Sequence, residues 1–162
     1  MKYIKAYEKI GNVETASNLY SELVRFLRKI KEPDYFVVEN FFERGMRNKG
    51  LALSVQHKDR WGPRTVFTIR IMEVSDNKLK ELSIKPKLKI LIDYHVYNDI
   101  FGLFLFNFIS DAFRKYSYFN KKHNLYTHST EDFFINTIDI SNIINELNEE
   151  YEIYVNVNKY NL

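Results

Sequence analysis

The sequence predicts an α+β single domain spanning 1–162: a mainly antiparallel five- to six-stranded sheet packed by two principal helices, at about 13–31 and 100–116. Three observations carry this. Segments between residues 51 and 97 alternate apolar and polar side chains with period two, the pattern of half-buried strands. Two other segments repeat apolar residues at three- and four-residue spacing, the pattern of helices. No repeat, linker or low-complexity tract divides a chain of 162 residues, a length that suits one domain of about 100–200 residues.

In chain order, residues 2–9 read as a short first strand, with Tyr3 and Lys5 on one face and a break at Gly11-Asn12. Val13 to Lys31 reads as an amphipathic helix. Ala16, Leu19, Tyr20, Leu23, Phe26, Leu27 and Ile30 form its buried stripe, and Arg28, Lys29 and Lys31 sit favourably at its negative end. Asn12 or Thr15 is the expected cap and Pro33 the stop. Residues 35–48 suit helix or strand; the β-branched and aromatic content of 35–42 favours strand. Leu51–His57, Thr65–Met72 and Leu88–Val96 alternate as strands. The first two join through Asp59-Arg60-Trp61-Gly62-Pro63 as a hairpin, and Lys78 to Ser83 reads as a helical turn.

Asn98 or Asp99 caps a helix from Ile100 to Tyr116. Its first three turns are apolar nearly all round, so it is expected to be buried on the sheet, with one side available to a second subunit. Residues 118–130 read as a polar loop, Phe133–Ile140 as a strand, Ser141–Glu150 as a short acidic helix, and Tyr151–Val157 as a last strand.

Composition excludes several classes of function. The chain has no cysteine, so thiol catalysis, Cys-ligated zinc and iron–sulfur chemistry are out, and a reducing, cytoplasmic-type compartment is expected. The start Met1-Lys2-Tyr3-Ile4-Lys5 lacks the apolar core of a secretory signal, and the apolar run Ile100–Ile109 is too short to span a bilayer, so neither secretion nor a membrane is expected. The 13 Phe and 12 Tyr are residues with A/T-rich codons, as are the abundant Asn, Ile and Lys, so aromatic content alone is no sign of a recognition surface. The net charge of +3 is uneven: residues 1–123 carry a net +9 and residues 124–162, where Lys159 is the only lysine or arginine, a net −6. Internal pairing of a basic body with an acidic end is the plain reading, and a polyanion-binding surface is the functional one.

No phosphate-binding glycine loop, nucleophile elbow or His-Glu-x-x-His motif is present. Asp93, His95 and Tyr97 share one face of a strand, with Arg70 and Thr68 on the corresponding face of its neighbour. A carboxylate can orient an imidazole for proton transfer, and an arginine beside it could clamp a phosphate, so these residues are candidates for catalysis on an anionic substrate. Their plain alternative is a solvated sheet face. His123, His128, Glu131 and Asp132 are metal-ligand types at no recognised spacing, so neither metal nor cofactor is expected. The second basic run, Lys78, Lys80, Lys85, Lys87 and Lys89, suits protection of an edge strand and equally an extension of a polyanion-binding surface.

Arginine is scarce, yet five of the eight (Arg44, Arg47, Arg60, Arg64 and Arg70) fall within 27 residues, and the single Trp lies among them. Lys58, Arg60, Trp61 and Arg64 crowd one hairpin turn, with Arg44, Arg47 and Lys49 upstream and Asp59 the only acid between 44 and 64. A stacking ring flanked by phosphate-binding charges has this composition. The leading expectation is therefore a non-enzymatic binding protein that contacts nucleic acid, or a nucleic-acid-handling protein, through this hairpin. An enzyme built on His95, Asp93 and Arg70 is the alternative. A protein-interaction module or inhibitor of the kind mobile elements and viruses encode, docking through 100–116 or the acidic region, is the third.

Overall fold

The structure, a computed structural model, describes residues 2–44, 48–73, 88–95, 99–117, 119–124 and 128–160. The elements are helix α1 (Lys2–Lys29), strands β1 (Tyr35–Arg44), β2 (Asn48–Asp59), β3 (Gly62–Glu73) and β4 (Leu88–His95), helix α2 (Ile100–Tyr116), strands β5 (Phe119–Asn124) and β6 (His128–Ile135), a 3-10 turn (Thr137–Asp139) and helix α3 (Ile140–Tyr160). The strands form one sheet in the order β1-β2-β3-β4-β6-β5, antiparallel at every pairing. The expected α+β architecture is present, and the helices pack against the sheet.

Alternation decides which face they cover. Leu53, Ile69 and Ile92 are cross-strand neighbours, as are Ile71, Ile90 and Phe133, and all are buried. Helix α1 lays Leu19, Leu23 and Phe26 on this face, α2 adds Leu105, Phe106, Ile109 and Phe113, and α3 adds Ile143 and Leu147. Burying a Leu, Ile or Phe contributes about 1.5–3 kcal/mol, so this layer dominates the stability. The opposite face carries Ser54, Thr68, Asp93 and Thr130 in one cross-strand row and has no described helix over it.

Four readings of the sequence are corrected. Residues 2–9 are helical, and α1 runs through Gly11. One interior glycine costs a helix only about 1 kcal/mol, too little to end it. Within the expected loop 118–130, residues 119–124 form β5 and residues 128–130 the start of β6. β5 is an edge strand with Asn120, Lys121, Lys122 and His123 exposed, so it has no apolar face to betray it. Residues 136–140 form the 3-10 turn and the start of α3 rather than a strand's end. Residues 151–157 belong to α3. Tyr151 and Tyr154 extend the stripe of Ile140, Ile144 and Leu147, with Tyr151 edge-on to Phe26 and Tyr154 stacked on Phe104. The turn expected at 78–83, and Lys78, Lys80, Lys85 and Lys87, lie outside the described residues. Lys89 protects no edge: β4 is internal, and the ammonium sits 3.5 Å from Asp132.

The uneven charge is met in part by internal pairing. Glu131, Asp132 and Glu146 of the acidic end bond Arg114, Lys89 and Lys115 of the body. Glu131 is 1 % exposed, and its carboxylate accepts from Arg114 Nε and Nη2 at 3.1 and 2.8 Å and from Asn120 Nδ2 at 2.9 Å.

Candidate nucleic-acid interface

The basic cluster that is continuous in sequence is divided in space. Arg44 and Lys49 lie beside the β1–β2 connection, whereas Lys58, Arg60, Trp61 and Arg64 lie at the β2–β3 turn. The full length of β2 separates them, about 35 Å at 3.2–3.4 Å per residue. Arg47 falls outside the described residues. Arg70 lies midway along β3, opposite Ala52.

The β2–β3 turn projects. β1 begins at Tyr35 opposite His57, and the last β3–β4 pair is Phe67 with Tyr94. From Lys58 to Thr65, among the described residues, β2 and β3 pair only with each other. The result is a two-stranded finger. Gly62 sits at φ 107°, where a side chain would be strained, so glycine here lets the chain reverse in two residues. Asp59 braces the tip: its Oδ1 accepts from the Trp61 amide at 2.7 Å and its Oδ2 lies 3.2 Å from Arg64 Nε. Trp61 does not fold back over the sheet. It is 72 % exposed, with the Arg60 guanidinium 4.9 Å above its ring centroid. An arginine held against an indole face is a cation–π contact that leaves the other face of the ring open.

A cluster that the sequence did not announce fixes the base of the finger. Asp99 caps α2 by accepting from the Gly102 amide at 2.8 Å. The same carboxylate, 8 % exposed, accepts from the Tyr35 hydroxyl and lies 3.3 Å from His57 Nδ1. The Tyr35 and His57 rings stack at 4.5 Å, and Phe101 meets Tyr35 edge-on. Burial, and then the bond to Asp99, push the Tyr35 phenol far above its ordinary range, and burial and the Asp99 charge also raise Tyr94. Both stay protonated at neutral pH. Lys58 donates its amide to the Asp34 carbonyl at 2.8 Å, which ties the α1–β1 connection to the finger as well. Asp99 was legible as a cap; its partners lie 42 and 64 residues away, which no local pattern encodes.

The candidate catalytic residues occupy the sheet face that lacks described helices. Asp93 accepts from Thr130 Oγ1 at 2.5 Å, and Arg70 Nη2 lies 3.9 Å from its other oxygen. Arg70 stands opposite Leu91, four residues and about 13 Å along the strand from His95, and its guanidinium turns to Asp93. Tyr97 lies outside the described residues. Of the loop ligands, Glu131 faces the helices and is held by Arg114, whereas Asp132 faces the other way toward Lys89, so the two carboxylates do not converge. Among the described residues, no three His, Asp or Glu side chains are placed to hold a metal ion, and no helix is long and apolar enough to cross a membrane.

The chain matches no protein-family model, no curated protein and no solved structure.

Proposed function

We propose that the protein binds nucleic acid through the 58–65 finger. One observation carries the reading: the finger presents an exposed Trp beside Lys58 and Arg60, with Arg64 held 3.2 Å from Asp59, its only acid, while Arg28, Arg114, Lys89 and Lys115 are each bonded to a carboxylate. Cations already paired release few counterions on binding a polyanion; Lys58 and Arg60 would release theirs. An exposed Trp is uncommon without a contact to make. Catalysis is the weaker reading because Asp93 is engaged by Thr130 and Arg70 rather than presented to a substrate.

The test is fluorescence-anisotropy titration with labelled DNA and RNA over a salt series. Two phosphate contacts on a single strand, from Lys58 and Arg60, give a slope of log K against log salt of about −1.4. Arg60→Ala or Lys58→Ala should weaken binding and flatten that slope by about 0.7 each. Lys49→Ala, at the far end of β2, should leave the slope unchanged. Affinity indifferent to salt, or no binding at low salt, would overturn the reading.

A further inference from the structure

Resting on that reading, we propose that the finger is specific for single-stranded nucleic acid, one unpaired base stacking on the open face of Trp61 while Lys58 and Arg60 hold the flanking phosphates. The geometry of the tip supports this. Arg60 lies over one face of the indole, 4.9 Å from its centroid, and the ring is 72 % exposed. Asp59 fixes the backbone that carries the ring through the Trp61 amide and holds Arg64 beside it. The platform is therefore ordered before a ligand arrives, and stacking a base costs little further ordering. Among the described residues the finger is two strands wide, and Lys58 and Arg60 flank its ring, a footprint of a few nucleotides.

Competition between stacking and unstacking selects the single strand. To reach one aromatic ring, a base in a duplex must first leave its neighbours, and that cost matches or exceeds what a single ring returns. Proteins that wedge duplexes recover the cost by bending DNA over a wide basic surface. Here Arg70 and Lys89 of the adjoining open sheet face lie against Asp93 and Asp132, so that face adds little positive charge. An unpaired base pays no such penalty. Stacking tolerates any base, so little sequence preference is expected.

Trp61 is the only Trp in the chain, so intrinsic fluorescence reports this ring alone. The wild-type protein is titrated with oligothymidylate, with a self-complementary duplex of equal length, and with inorganic polyphosphate, which has charge but no bases. Binding of the single strand with fluorescence quenching, at least 10-fold tighter than the duplex, together with polyphosphate binding that leaves the emission unquenched, is the expected result. Read by the anisotropy of labelled oligothymidylate, since the variants carry no Trp, Trp61→Ala should lose about 10-fold or more in affinity, and Trp61→Phe should recover most of it, with the melting temperature of both variants unchanged. Equal affinity of Trp61→Ala and wild type for oligothymidylate, at unaltered salt dependence, would overturn stacking and leave the polyanion reading standing. Duplex binding as tight as single-strand binding would overturn the strand specificity. Failure of all three ligands to bind would overturn both readings.

Discussion

Gly102 shows how close a single residue can bring two elements. It lies in the first turn of α2, and a Cβ built there would stand 2.3 Å from Val66 Cγ1 and 3.1 Å from the Asp99 carboxyl carbon. Val66 is the extra residue where the β2–β3 register shifts, so α2 sits flush on the bulge of the sheet. Gly102→Ala improves intrinsic helix propensity by about 1 kcal/mol but overpacks this contact, and it should destabilise the protein by about 1–3 kcal/mol in a denaturant titration. Asp99 is the other residue on which this joint depends. Asp99→Ala removes the cap and leaves the Tyr35 hydroxyl without its acceptor, a cost of about 2 kcal/mol. It should also let Tyr35 ionise nearer the ordinary tyrosine range, seen as tyrosinate absorbance appearing at lower pH.

Among elements, the junction of α2 with β5 and β6 carries the buried charge. Glu131 is enclosed by Arg114 and Asn120, and Arg114 is itself 42 % exposed on its side chain and also bonds Asp111. Hydrogen bonding to Glu131 raises the Arg114 pKa, so the guanidinium stays charged at every accessible pH. Arg114→Met would strand a buried carboxylate. The expected loss is about 2–3 kcal/mol, below that of a fully buried pair because water reaches the arginine. Adding Glu131→Leu should restore most of it, since replacing both partners removes the stranded charge. Thermal melts of the two variants check this. The finger behaves oppositely: it is tied at its base to Asp34 and Asp99 through Lys58 and His57, but its tip packs against nothing in the core. Substitutions at Trp61 should therefore change binding without changing stability.

At the scale of the whole molecule, several tyrosines share one electrostatic condition. Burial first, then neighbouring carboxylates or hydroxyls, raise the pKa of Tyr20, Tyr35, Tyr94 and Tyr151 above the ordinary value of 10. The folded state thus holds these protons more tightly than the unfolded chain. Their contribution to stability is fully present below pH 10 and is lost as the pH rises from there through the raised folded values. The denaturant midpoint should fall steeply above about pH 10, with these phenols ionising as the protein unfolds. A midpoint that stayed level while all the tyrosines titrated near 10 would contradict the packing described here.

The strands β2, β3 and β4, the turn at Arg60-Trp61 and the helix α2 were legible in the amino-acid order because each is specified locally: period-two alternation, a turn glycine, an apolar run behind a capping Asp. β5 was not, because a solvated edge strand buries too little to leave a pattern. The C-terminal half of α3 was not, because Tyr151, Ile153, Val155 and Val157 satisfy a period of two, and only packing on Phe26 and Phe104 selects the 3.6-residue reading. The candidate site divides in the same way. Its composition, one Trp among scarce arginines, is a property of the chain. Its extent is a property of the fold: an extended strand carries Arg44 and Lys49 away from Trp61, and antiparallel pairing brings Tyr35, His57 and Asp99 together at the base of the finger. Neighbours in sequence along a β-strand move apart by 3.2–3.4 Å per residue, whereas sheet pairing and helix docking join residues at any separation. The chemistry of the tip was therefore readable from the sequence, and its isolation on a projecting finger was decided by the tertiary structure.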